Sequence, residues 1–146
     1  MARYSTGCLT TAGSTVLPIA SLYAGANAGG TLREIGLANT TSTAVSLKLI
    51  RLTTTGTQGG GLTEARHNPN SPATANCTAF NTHSGAPTLG DDLGYRIRLG
   101  AADGASVIWT FGSDGIVIPV GVTNGVGILV ESGTGTPVLL DIVWDE

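Results

Sequence analysis

The stretch Pro137–Glu146 reads PVLLDIVWDE. Val138, Leu140, Ile142 and Trp144 fall on one side of an extended chain, and Leu139, Asp141, Val143 and Asp145 fall on the other. A period of two marks a half-buried strand, because successive side chains of an extended backbone point to opposite faces. The even-numbered set is the expected core face. The same period recurs upstream. Tyr95, Ile97 and Leu99 oppose Arg96 and Arg98, Val45, Leu47 and Leu49 alternate with Ser46 and Lys48, and Val107, Trp109 and Phe111 share a side. Helical spacing recurs nowhere.

Such runs predict about nine strands, near residues 2–9, 14–23, 31–38, 44–53, 75–80, 94–99, 105–111, 115–120 with 125–131, and 137–145. Pro18 and Pro119 fall within or at the end of two of them and predict edges or bends, since proline donates no ladder hydrogen bond. The dipeptides Asp103-Gly104, Asp114-Gly115 and Asn124-Gly125 enter left-handed turns cheaply. NTTST at 39–43 and SGTGT at 132–136 read as hairpin loops. From Gly94 onward the expectation is a meander or the closing strands of a Greek key, with the glycines of Gly115–Ser132 as turns. The fold class is all-β: an antiparallel β-sandwich, jelly-roll-like, in one domain spanning 1–146.

The middle of the chain breaks this regularity. Residues 54–93 hold three prolines and many Gly, Asn and Thr, with little periodicity. A long irregular central loop of this kind is uncommon in a compact domain unless it has a use. It is too poor in apolar residues to form a domain of its own. The expectation is that it lies over a neighbouring subunit or along its own sandwich. Its apolar anchors Leu62, Phe80 and Leu89 are the interface candidates.

Composition narrows the function classes. Charged residues make up 12% of the chain, against about 25% in an ordinary soluble domain. A chain with so few charges is packed by neighbours or solvated by its hydroxyls. The net charge is −3, and the seven Lys and Arg are scattered. Direct nucleic-acid binding, which rests on neutralised phosphates, is not expected. No apolar stretch approaches the length of a membrane span, and the first residues carry no signal-like apolar run. Cys8 and Cys77 allow one bridge at most, and the expectation is that both stay reduced.

The chain offers little for chemistry. Glu64 stands three residues before His67, but nothing marks a pocket or an orienting partner, and a solvated loop histidine is expected. His67, Cys77 and His83 are spaced by ten and six residues, which matches no compact metal-ligand pattern. Asp91-Asp92 lacks the alternating acids of a calcium loop and reads as a capped turn. TQGGGLTEA lacks the Lys-Ser/Thr of a phosphate loop, and no serine stands in a nucleophile elbow. Trp109 and Trp144 lie on apolar strand faces and read as core. No catalytic, cofactor-binding or metal residue is assigned, and no cofactor is expected.

The opening MARY and the closing pattern VIWTFGSDGIVIPVGVTNGVGILVES…DIVWDE resemble small β-sandwich virion proteins of tailed bacteriophages. The residues that carry the likeness are Trp109, Gly115, Pro119, Asn124-Gly125, Gly127 and Asp145-Glu146. The resemblance implies a structural, non-enzymatic role on the particle. Few charges, much Thr and Gly, the long irregular segment and the lack of chemistry suit the same kind of role, and the reading they favour is a capsid decoration or cement protein. It implies the major capsid protein and sister subunits, as a homotrimer, for partners. It also implies a place on the capsid surface after synthesis in the host cytoplasm. The alternative is a tail or head appendage that recognises a host-surface carbohydrate, which needs exposed aromatics or a calcium cluster.

Overall fold

A computed structural model describes all residues 1–146. The chain folds into strands and connections alone: β1 (Arg3–Leu9), β2 (Ala20–Tyr23), β3 (Gly30–Asn39), β4 (Val45–Leu52), β5 (Ala65–Arg66), β6 (Thr78–Phe80), β7 (Leu89–Leu99), β8 (Ser106–Thr110), β9 (Ile116–Ile118), β10 (Gly125–Ser132) and β11 (Val138–Asp145). They form two antiparallel sheets packed face to face. Sheet A runs β5-β1-β11-β3-β8, with β9 also on β3, and sheet B runs β6-β2-β10-β4-β7.

The pairing is nested. β1 pairs with β11, β2 with β10, β3 with β8 and β4 with β7, as in one long hairpin. Rolling that hairpin brings β11 beside β3 and β10 beside β4. This is the double Greek key of a jelly roll. No strand pairs with its immediate successor. The loops at 39–43 and 132–136 are therefore not hairpins but crossings between the sheets, β3 to β4 and β10 to β11. Asn39 holds the first crossing, donating from Nδ2 to the carbonyls of Thr43 and Gly100 at 2.7 and 2.8 Å.

The core lies between the sheets. Val138, Leu140, Ile142 and Trp144 are all buried, and Trp144 stacks on Tyr4 with ring centroids 5.8 Å apart. Asp145 lies on the side opposite that core row, yet it does not face water. It is buried, and its carboxylate accepts hydrogen bonds from Arg3 Nε and Arg33 Nε, both at 2.7 Å. Arg33 is the extra residue where the β3–β11 register shifts, a bulge that re-aims its side chain. The hydrogen bond from Arg3 leads the effects that hold the Asp145 carboxyl below its ordinary range. The C-terminal Glu146 accepts from Trp144 Nε1 and from the amides of Asn76 and Cys77, and its backbone pairs with that of Ala2.

Several boundaries move. The run expected at 14–23 contracts to Ala20–Tyr23, because Ser14 Oγ caps the amides of Val16 and Leu17 in a turn ahead of Pro18. β7 begins at Leu89, inside the segment expected to be irregular. Gly104 and Gly115 take positive φ as their turns require, but Gly125 does not; the turn before β10 is made at Gly121, φ 123°. Gly125 and Gly127 are strand residues chosen for space: a Cβ there would meet the Tyr23 ring at 2.6 Å and Leu52 Cδ1 at 2.9 Å.

Two variants check the assignment of faces. Leu140→Ala empties core volume and lowers the unfolding free energy by about 2–5 kcal/mol. Leu139→Ala, on the solvent side of the same strand, changes it by no more than about 0.5 kcal/mol. Equal losses in denaturant titrations reverse the assignment.

Candidate functional site

The two outer faces of the sandwich differ, and the central segment makes the difference. On sheet B the outward residues Tyr23, Ile50, Leu52 and Leu129 form a second apolar cluster, against which Phe80 and Leu89 pack. The segment crosses this face twice and bonds to itself and to the sheet. Thr57 pairs with Gly85, Gly61 with Phe80, and Tyr23 Oη donates to the Thr54 carbonyl at 2.9 Å. Between the two crossings it caps the sandwich edge, adding β5 to β1 and β6 to β2. Leu62 packs on the main core. The segment thus lies along its own sandwich. The interface candidates Leu62, Phe80 and Leu89 all pack on this chain and stay half-buried, and the rest of the segment's outward residues are mainly polar.

His83 fastens this layer. Its Nε2 is 2.8 Å from Ser21 Oγ, and its amide donates to the Pro18 carbonyl at 3.0 Å. A serine and a histidine at hydrogen-bond distance have the form of a nucleophile and its base. Here the two side chains are 0% and 2% exposed, so no substrate reaches them. Burial lowers the His83 pKa, which keeps the ring neutral.

The other polar candidates stay apart. His67 is exposed, with Glu64 half-buried nearby in the chain. No three His, Cys, Asp or Glu side chains come together. Both cysteines are free. Cys8 faces Leu140 in the register, whereas Cys77 lies beside Gly30 and Trp144, four residues further along β11. At about 3.4 Å per residue that separation far exceeds the reach of a disulfide. Asp92 caps its turn, accepting from the Gly94 amide at 2.8 Å and from Arg96 Nη2 at 2.6 Å. Trp109 and Trp144 are buried in the core.

Sheet A's outer face has no such cover. The register aligns Leu9, Leu139, Ala38 and Ser106 across four strands, and Gly7, Asp141, Gly36 and Ile108 in the next outward row. Leu9, Leu139 and Ile108 are 55%, 52% and 63% exposed. They rim a shallow groove of about 590 Å³. Its floor is low because two glycines flank Asp141. A Cβ on Gly36 would lie 2.1 Å from Asp141 Oδ1, so the carboxylate lies over the glycine. Sequence periodicity placed Leu139 outward correctly, but only the register reveals that Leu9, Leu139 and Ile108 converge.

The His83 clamp has a pH signature. A buried histidine whose folded pKa is depressed costs stability once the unfolded chain takes up the proton. Its contribution is intact above the ordinary value of about 6.5 and is lost as pH falls below it. The denaturation midpoint should drop between pH 7.5 and 5.5, and His83→Phe should flatten that drop. An unchanged slope in the variant removes His83 as its origin.

Scanned against protein-family models, and compared with curated proteins and with solved structures, the chain has no match in any of the three. The functional reading therefore rests on its own residues and surfaces.

Proposed function

We propose that the protein is a non-enzymatic structural component of a tailed-bacteriophage virion, a cement protein that lays the outer face of sheet A on the capsid shell and bridges its subunits. The observation that carries this reading is the unequal treatment of the two faces. One is sealed by a 36-residue connection, Thr53 to Thr88, while the other leaves Leu9, Leu139 and Ile108 in water. Exposed apolar residues gathered on one rigid face favour contact with another protein. A sheet is suited to this, because its hydrogen-bonded ladder fixes the side chains before contact and little ordering entropy remains to be lost.

The low charge content supports the same reading, since charged residues are depleted from the buried centres of interfaces. So does the resemblance of the last strands to phage virion proteins. Part of that resemblance has a structural use within the chain. Gly127 makes room for Leu52, and Asp145 and Glu146 tie down Arg3, Arg33 and the Asn76–Cys77 amides.

The test is co-assembly with the major capsid protein of the same phage genome, scored by sedimentation of shells. The parent chain should travel with them. Leu9→Glu with Leu139→Glu places two carboxylates at the centre of the contact, beside the like-charged Asp141. Each unpaired buried charge costs well over the 1.4 kcal/mol that a tenfold change represents, so incorporation should fall by about tenfold or more. Thermal melts keep folding and incorporation separate. Undiminished incorporation of the folded variant removes this face as the contact. A parent chain that ignores shells and binds a glycan array supports the appendage alternative.

A further inference from the structure

The four lateral edges of the sandwich are protected unequally. β5 and β6 are edges of two and three residues. β7 is long but carries Asp91, Asp92, Arg96 and Arg98, and its pairing with β4 is interrupted by register shifts. Short length, charge and irregularity are the usual means of keeping a sheet edge from pairing with another chain. β8, Ser106–Thr110, has none of them: its sequence is SVIWT, uncharged, free of proline and in unbroken register with β3.

The register also says which of its backbone groups are free. The Asn39 amide donates to the Ala105 carbonyl, and the Phe111 amide donates to the Arg33 carbonyl. In an antiparallel pair only alternate residues bond to a given neighbour. The odd-numbered residues of β8 therefore bond to β3, and the amides and carbonyls of Ser106, Ile108 and Thr110 point away from the sheet. These three also carry the outward side chains, and their order is palindromic: hydroxyl, Ile, hydroxyl.

We infer that β8 pairs with β8 of a second copy, antiparallel about a two-fold axis at Ile108, to join two A sheets into one. The palindrome favours a second copy over an unrelated strand, because a two-fold contact requires one patch to be complementary to itself. Only the register centred on Ile108 uses all three free residues: Ile108 opposes Ile108 of the second copy, and Ser106 opposes Thr110 of that copy. Six backbone hydrogen bonds form, the 63% exposed Ile108 gains a cross-strand partner of its own kind, and no charge meets a like charge within the ladder. The expected homotrimer would instead need two different patches that fit each other around a three-fold axis. The pairing does not depend on the virion reading.

Sedimentation equilibrium of the full chain should give a dimer. Ile108→Pro removes an amide that β3 does not use, so the fold should be retained while the chain becomes monomeric. Circular dichroism confirms the fold of that variant. Ile108→Cys should cross-link to its own copy on mild oxidation, because opposed residues in a hydrogen-bonded pair lie about 5.5 Å apart, within disulfide reach. Ser106→Cys should not, since its own copy sits four residues away along the strand. The parent chain, with Cys8 and Cys77 in place, controls for other bridges. A monomeric or trimeric parent, a dimer that survives Ile108→Pro, or equal cross-linking at 106 and 108 overturns the inference.

Discussion

The fold depends on one constraint, the reversed pairing of the chain's first half with its second. β1 needs β11, β2 needs β10 and β3 needs β8 before any sheet has more than a local edge. Nearly every stabilising contact therefore joins residues far apart in sequence. The closure entropy of long loops must be overcome before those contacts form. Tyr4 stacked on Trp144, and Asp145 shared by Arg3 and Arg33, fasten the two ends of the chain where the pairing closes. The glycines of β10 belong to the same logic. β10 is central in sheet B, and at Gly125 and Gly127 a side chain would collide with Tyr23 and Leu52 from the strands on either side.

The tip of the rolled hairpin, between β4 and β7, is where the chain is free to be long. That freedom is used to build a third layer. The layer seals the apolar outer face of sheet B and caps the edge formed by β1 and β2, so half of the sandwich's surface is settled within the chain. The half left open is the outer face of sheet A and the β8 edge beside it. These two features are continuous, since Ile108 belongs to both. If the A sheets of two copies join, their two grooves lie on one continuous twisted sheet, related by the two-fold axis at Ile108.

The strands were legible in the sequence because a period of two is a local property. Val138, Leu140, Ile142 and Trp144 announce their face without reference to any partner. The pairing was not legible locally. A loop such as SGTGT turns the chain equally well within a sheet or from one sheet to the other, and residues 132–136 do the latter. Asn124-Gly125 has the composition of a turn, yet Gly125 is set by the bulk of Tyr23 from another strand. Asp145 has the pattern of an outward, solvated acid, yet two arginines from β1 and β3 enclose it. Leu62, Phe80 and Leu89 stood out as anchors, but the sequence left open whether their pockets lay in this chain or a neighbour. His83 stood out only as a metal-ligand candidate, and its bond to Ser21 was not legible because that partner is 62 residues away.

The meeting of the two chain ends has a mechanical consequence. Ala2 and Glu146 bond to each other through both backbone amides, and the β1–β11 ladder begins immediately inside them. A force that draws the ends apart loads that ladder one rung at a time, as a zipper is loaded, so it yields at low force. A force that enters through the broad face of sheet A presses on all its strands together and leaves the rungs unloaded in the direction in which they part. The geometry therefore favours loads carried through the face of sheet A over loads applied at the open end of the β1–β11 ladder.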